Sequence, residues 1–173
     1  MSLHIIIDGY NLVRRSKELS RLDRADITRG REALIEKLAA YRRLKPHRIT
    51  VVFDGTGAPA HSPPRDRVKG IGVVFSRSGE SADAVIARMA RQERATALVV
   101  SSDLAVVRSA QACGAAVVES GEFEARLAMA SVLEGSDPGD EAPRGRRVST
   151  RKKGEGRRLP KRLRRNRLRA AKL

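Results

Sequence analysis

Aspartates stand where apolar, strand-like runs stop. Asp8 closes Ile-Ile-Ile-Asp-Gly-Tyr-Asn, Asp54 closes Val-Val-Phe-Asp-Gly-Thr-Gly, and Asp103 follows Val-Val-Ser-Ser. Asp83, with Glu80 three residues before it, opens the amphipathic stretch after Ile-Gly-Val-Val-Phe. Ile5, Ile6 and Ile7 are consecutive β-branched residues, a pattern that suits a strand covered on both faces, as in a parallel sheet. If the strands run parallel, Asp8, Asp54 and Asp103 leave the sheet at one edge. That is the carboxyl edge, where open α/β sheets bind ligands. Asp83 reaches it from the start of its helix. Carboxylates held a few ångströms apart repel one another, so the set is costly unless a cation is shared among them. All-oxygen donors select Mg²⁺ or Mn²⁺, and these metals serve phosphoryl chemistry by activating water and neutralising charge on phosphate.

Singly, each residue has an ordinary role. Asp103 suits a helix N-cap, Asp83 complements a helix macrodipole, and Asp54 and Asp8 suit turns. Glu80 reads as a solvated loop charge, Asn11 as a cap of the first helix, and Ser101 and Ser102 as partners for loop backbone. What these separate roles leave unexplained is the gathering of the acids at one edge.

The elements that must position them follow from hydrophobic periodicity. Strands are expected at 3–7, 49–53, 71–75, 97–100 and 115–118. A short helix begins the polar stretch 12–22. A longer one follows Asp26, with Ile27, Leu34, Ile35, Leu38 and Tyr41 on one face and Pro46 past its end. Ser81 caps a helix with the stripe Ala82, Val85, Ile86, Met89 and Ala90. Another runs from Leu104 to Cys113, ended by Gly114, and Ser120 caps the last, through Leu133. Residues 55–70 read as a loop, basic in its second half at Arg65, Arg67 and Lys69. Strands alternating with helices give an α/β domain with a mainly parallel five-stranded sheet and helices on both faces.

Charge divides the chain. It carries 36 Lys+Arg against 20 Asp+Glu, a net +16. Residues 135–173 hold 15 of the basic and 4 of the acidic residues, which leaves +11 on that segment and +5 on residues 1–134. The expected organisation is therefore a mildly basic globular domain over 1–134 and a flexible linker with a basic, disordered tail over 135–173. A polycation binds nucleic acid through counterion release. The tail lacks the bulky apolar face of an interfacial membrane helix. No apolar run reaches membrane-spanning length and no signal peptide stands out, and the lone Cys113, read as a small buried residue near a helix end, fits a reducing cytoplasm. With 3% aromatic residues and no Trp, base stacking is not the expected main mode of binding.

Other motifs fail. Asp54-Gly55-Thr56 is similar to a phosphatase loop, but the position of the nucleophilic aspartate is Val52. No Gly-rich dinucleotide or P-loop signature follows the first strand. His4, His47 and His61 lack metal-ligand spacing, and His4, inside a strand, reads as structural.

Ile-Ile-Ile-Asp8-Gly-Tyr-Asn11-Leu, Val-Val-Phe-Asp54-Gly, Gly79-Glu80-Ser-Ala-Asp83-x-x-Ile86 and Val-Val-Ser-Ser102-Asp103 occur in that order. Together they resemble the YacP-like branch of the NYN domains, within the PIN-like nucleases, over about residues 3–130. The resemblance implies a sheet ordered 3-2-1-4-5, a divalent metal held by clustered acids, and RNA cleavage, in some members on messenger RNA at the ribosome. It implies Asp8, Asp83 and Asp103 as the metal-binding core, with Asn11, Asp54, Glu80 and Ser102 lining the site or positioning water. The basic tail departs from the compact members. The sequence thus reads as a Mg²⁺- or Mn²⁺-dependent endoribonuclease, with Arg65, Arg67, Lys69 and Arg77 on the RNA backbone and RNA, and the ribosome, as partners. Oligomeric state carries no signal. A non-catalytic RNA- or ribosome-binding module is the alternative, and a small phosphoesterase ranks below it.

Overall fold

The computed structural model describes residues 3–58 and 63–135. The basic tail expected beyond Gly135 lies outside the described residues. In chain order the elements are β1 (His4–Asp8), α1 (Gly9–Arg15), α2 (Lys17–Ala25), α3 (Ile27–Leu44), β2 (Arg48–Phe53), β3 (Arg65–Val68), β4 (Ile71–Phe75), α4 (Ala82–Glu93), β5 (Ala97–Val100), α5 (Leu104–Ala112), β6 (Ala116–Val118) and α6 (Ser120–Gly135). Among the described residues the sheet has six strands in the order β3-β4-β2-β1-β5-β6. All neighbours pair parallel except β3 with β4.

The expected sheet of five strands in the order 3-2-1-4-5 is corrected at one edge by β3, which lay inside the expected loop 55–70. All four residues of β3, Arg-Asp-Arg-Val, are exposed, so the segment has neither an apolar run nor an alternation to announce it. Charges on an edge strand are a common protection against pairing with another chain. Val68 pairs with Ile71 across a two-residue turn, where Lys69 (φ 51°) and Gly70 (φ 81°) both take positive φ. That is the type I′ hairpin geometry, whose twist matches that of the strands.

The apolar runs are explained by burial from two sides. Ile5 and Ile7 face a core with Leu12, Leu19, Leu34, Leu38 and Phe123, from α1, α2, α3 and α6. Ile6 faces the other layer, with Val85, Ile86, Val106 and Ala110 from α4 and α5. All three isoleucines are fully buried, each contributing roughly 1.5–3 kcal/mol of apolar transfer. His4 is buried too, and structural as expected. Its Nδ1 lies 3.0 Å from Glu93 and its Nε2 2.9 Å from the Thr50 hydroxyl. Because a carboxylate only accepts, Nδ1 carries the ring proton and Nε2 accepts from Thr50.

Several local expectations change. The stretch 12–22 holds parts of two helices, broken at Ser16, whose hydroxyl accepts from Leu19 N at 3.4 Å and so caps α2. Asp26 and Ser81 cap α3 and α4 as expected. Ser120 is already the first helical residue of α6, and its hydroxyl points to Asn11 rather than back along its own helix. Ile27, assigned to the core face of α3, is 41% exposed, because the first turn of α3 extends beyond the sheet into an open cavity. Cys113 is half-buried at the C-terminus of α5.

Candidate active site

Every parallel strand delivers its carboxyl end to one edge, and a cavity of about 590 Å³ opens there. Its lining includes Asp8 from the end of β1, Asp54 from the end of β2, Asp83 from the first turn of α4 and Asp103 from the loop after β5. The four aspartates that the strand endings singled out thus meet at one cavity. Asn11 lines it as well.

Three of these acids also hold the backbone in place. Asp8 caps α1 by accepting from Asn11 N at 3.2 Å. Asp54 accepts from Thr56 N at 3.1 Å and from the Thr56 hydroxyl at 2.9 Å, capping the short 3₁₀ turn at Gly55–Gly57. Asp103 caps α5 by accepting from Ala105 N at 2.7 Å and Val106 N at 3.3 Å. Capping and cavity lining are therefore the same placement, since an N-cap carboxylate sits in the turn that leaves the sheet edge. The glycines after Asp8 and Asp54 are required sterically. A Cβ on Gly9 would come within 2.4 Å of the Phe53 ring, and one on Gly55 within 2.0 Å of the Ser76 carbonyl oxygen.

Asp8 is the best-anchored acid. Its second oxygen accepts from the buried Ser101 hydroxyl at 3.0 Å, and the Ser101 hydroxyl oxygen accepts from Asp103 N at 3.1 Å. Asn11 ties this corner together through its side-chain carbonyl, which accepts from Ser102 N at 3.0 Å and the Ser120 hydroxyl at 2.7 Å. The Ser102 hydroxyl accepts from Ser120 N at 3.2 Å. Ser102 thus braces the loop, while Ser101, expected only as a partner for loop backbone, does that for Asp103 N and also holds the acid. Nothing in Ser-Ser-Asp distinguishes the two hydroxyls. Only strand register decides which one turns toward β1.

The acids perturb one another. Burial raises the Asp8 pKa above the usual carboxylate value, and the charges of Asp83 and Asp103 push it the same way, against the hydrogen bonds from Asn11 and Ser101. Partial burial raises that of Asp83, followed by the Asp103 and Asp54 carboxylates. Asp54 is lowered, chiefly by its hydrogen bonds from Thr56. Mutual repulsion of oxygen donors is the electrostatic signature of a cation site. Among the described residues, no three His, Cys, Asp or Glu side chains form a finished metal cage. The donor set nonetheless fits Mg²⁺ or Mn²⁺: Mg²⁺ usually keeps several waters and takes only one or two carboxylates, completing its shell with substrate phosphate oxygens.

The remaining expected residues are distributed differently. Glu80 does not line the acidic cavity. It forms an ion pair with Arg88 in a neighbouring cleft of about 220 Å³ that also contains Arg65 and Arg77. Arg67 is exposed on β3. Lys69 lies at the far end of the hairpin, at the opposite edge of the sheet, paired with Glu36 on α3. Of the basic residues expected on RNA, Arg65 and Arg77 share a cleft and Lys69 stands apart. The cavity further includes Tyr10, Arg14, Asp23, Ile27, Thr56 and Ser81, none of which sequence reasoning placed there. Arg14 and Asp23 come from α1 and α2, whose placement over the sheet edge leaves no periodic trace.

The architecture matches solved structures. Rae1 (YacP) from Bacillus subtilis superimposes with a TM-score of 0.66 at 23% identity, covering 78% of each chain, a likeness of fold. A single-residue mutant of the same protein gives a TM-score of 0.62 at 25% identity, covering 77% of this chain and 79% of that one. The curated "Uncharacterized protein YacP" of Bacillus subtilis (strain 168) is 28% identical over 87 residues, which are 50% of this chain and 51% of that protein. The chain thus aligns with about half the length of that relative. The sequence profile of the YacP-like NYN domain matches residues 5–170, so the basic segment after Gly135, expected to depart from the family, lies almost wholly within the matched stretch. On that match the chain belongs to the YacP-like NYN domain family.

Proposed function

We propose that this protein is a metal-dependent endoribonuclease. The observation that carries the reading is the meeting of Asp8, Asp54, Asp83 and Asp103 at one cavity, where burial first and the neighbouring carboxylates after it raise the Asp8 and Asp83 pKa values. Asp8, Asp83 and Asp103 would hold Mg²⁺ or Mn²⁺, one or two of them directly and the rest through its waters. When bound, such a metal supplies an acidified water and a counter-charge for the phosphate.

The chain's own groups do the rest. Ser101 fixes the rotamer of Asp8, so that one carboxylate face is presented to the cavity. Asn11 spends its carbonyl on the β5 loop and α6, which leaves its amide as a donor at the cavity wall. Asp54 is kept ionised by Thr56 and accepts hydrogen bonds from water. Arg65 and Arg77 in the adjoining cleft take the phosphates of the strand leaving the site. Membership of the YacP-like NYN family supports RNA as the substrate class. Action on messenger RNA at the ribosome is part of the same proposal, as is a division into a domain over 1–134 and an RNA-anchoring basic tail. A non-catalytic binding module would not need its acids to repel one another.

The test is purified protein on labelled RNA, with and without ribosomes, Mn²⁺ and EDTA. Cleavage that needs the metal and disappears in EDTA is expected. Metal should also raise the melting temperature, mass action adding about 2.7 kcal/mol of stability at a hundredfold excess over Kd. RNA left intact in all conditions, with an unmoved melting curve, would favour the binding module. Deleting 140–173 should flatten the log–log salt dependence of RNA affinity by roughly 4, if about six basic groups meet phosphates. Equal slopes would remove the anchoring role.

A further inference from the structure

Arg14 and Asp23, on the α1–α2 wall of the acidic cavity, have no side-chain hydrogen bond or ion pair among the described residues. Asp23 makes no hydrogen bond or ion pair within the described residues, and its Oδ1 is buried without a donor. It is wedged against α3: a Cβ on Gly30 would lie 2.7 Å from the Asp23 Cβ and 3.0 Å from Oδ1. An unsatisfied buried acceptor is costly, and native structures keep few of them. Arg14 lines the same cavity as five aspartates, Asp8, Asp23, Asp54, Asp83 and Asp103, yet is within ion-pair distance of none of them. It is the cavity's basic residue among the described ones.

We propose that Arg14 and Asp23 grip one ribose-phosphate unit beside the cleaved bond, and that this wall selects RNA over DNA. The inference rests on the ribonuclease reading. Arg14 binds a non-bridging phosphate oxygen, for which its planar fork of donors is suited. Asp23 accepts a hydrogen bond from the adjacent 2′-hydroxyl on its second carboxylate oxygen, the one that is not buried, while Oδ1 stays without a donor. A carboxylate only accepts, so it repels phosphate and needs a donor. A nucleic-acid strand brings two kinds of donor, base N–H groups and, in RNA alone, the 2′-hydroxyl. Only the hydroxyl recurs at every nucleotide at a fixed offset from a phosphate, which matches an arginine and an aspartate lining one cavity without pairing to each other. Arg14 also offsets the repulsion between the phosphate and Asp23, allowing the sugar to approach.

The experiment compares a short single-stranded RNA, the DNA of the same sequence, and RNAs with one 2′-deoxynucleotide walked along the chain. Affinity is measured in EDTA and cleavage in Mn²⁺. The wild type should bind RNA more tightly than DNA and lose cleavage when one specific 2′-hydroxyl is missing. Asp23→Ala should reduce the RNA-to-DNA affinity ratio by roughly tenfold or more and become insensitive to that deoxy substitution, with a melting temperature no lower than wild type. Asp23→Asn, which keeps a weaker acceptor, should fall between. Arg14→Ala should weaken RNA and DNA alike, and Arg14→Lys should recover part of the loss. A wild type that cuts RNA with a ratio equal to that of Asp23→Ala would overturn the inference alone. So would equal losses on RNA and DNA in Asp23→Ala. A wild type that neither binds nor cuts RNA overturns the ribonuclease reading together with it.

Discussion

The two sides of the acidic cavity are built in opposite ways. On the side of β1, β5 and α6, the polar groups are wired to one another: Asp8 to Ser101, Ser101 to Asp103, and Asn11 to Ser102 and Ser120. On the side of α1, α2 and α4, Asp54 is held by its own turn and by the backbone N–H of Ala82, Asp83 stands exposed, and Arg14 and Asp23 have no partner among the described residues. Under the proposed function the difference follows from what each side does, Asp83 being the one cation ligand on the looser side. A cation needs oxygens fixed to a fraction of an ångström, which buried hydrogen bonds provide. A substrate supplies its own donors and charges, so the groups that meet it are left unsatisfied until it arrives.

The contrast breaks most sharply at Asp8. Asp8→Asn should lower cleavage by orders of magnitude, because a neutral amide replaces the anchored carboxylate of the cation site. The fold should survive, since the amide oxygen still caps α1, and the melting temperature without metal should hold or rise as repulsion from Asp83 and Asp103 disappears. Wild-type turnover in Asp8→Asn would dismantle the site. Ser101→Ala tests the wiring. It frees the Asp8 carboxylate to rotate and should cost roughly 10–100-fold in activity or metal affinity. It also strands the Asp103 N–H, for about 1–3 kcal/mol of stability in a denaturant melt. If Ser101→Ala proves silent in both, the wired side is no more ordered than the loose one.

Asp83→Ala sharpens the comparison from the loose side. It should blunt the metal-induced rise in melting temperature with little stability cost of its own, because the side chain is largely exposed and partial burial, then the Asp103 and Asp54 carboxylates, disfavour its charged form. A full metal shift in this variant would take Asp83 out of the cation site.

The smallest effect belongs to a control far from both sides, the His4–Glu93 pair at the opposite end of β1. Burial lowers the His4 pKa below 6.5, and the hydrogen bond from His4 lowers that of Glu93 below 4.5. The folded state thus disfavours protons at both groups, so their contribution is full above about pH 6.5. It shrinks as pH falls through that value, and the Glu93 part is lost further down, below pH 4.5. His4→Gln should flatten the stability-versus-pH curve in that acid range while leaving metal-dependent cleavage alone. An unchanged curve would remove the pair as an acid-sensitive element.

The sheet, its two helical layers and the gathering of Asp8, Asp54, Asp83 and Asp103 were legible because parallel strands buried on both faces are written as uninterrupted apolar runs. A carboxylate directly after such a run has only one edge to occupy. β3 was illegible for the opposite reason: Arg-Asp-Arg-Val on an exposed edge has no apolar face to pattern. Glu80 and Ser102 were expected at the site from the resemblance, and side-chain direction took them elsewhere, to Arg88 and Ser120. Arg14, Asp23 and Ile27 were missed because helix-packing angles decide what overhangs a sheet edge, and those angles leave no repeat in the chain. Ile27 shows the risk: its spacing matches the core face of α3, but the sheet ends before it.

Because Asp8, Asp54 and Asp103 are helix or turn caps as well as cavity acids, the fold cannot tell aspartate from asparagine at these positions, while the proposed chemistry can. Asparagine caps as well as aspartate does, and the two residues are separated by one nucleotide in the genetic code. The route from an active protein to an intact, inert one is therefore a single step that leaves no mark on folding or abundance. A lineage can lose the activity and keep the shape, with whatever surface the shape presents to its partners. Across proteins of this architecture, the residue at those three caps says more about chemistry than overall similarity does.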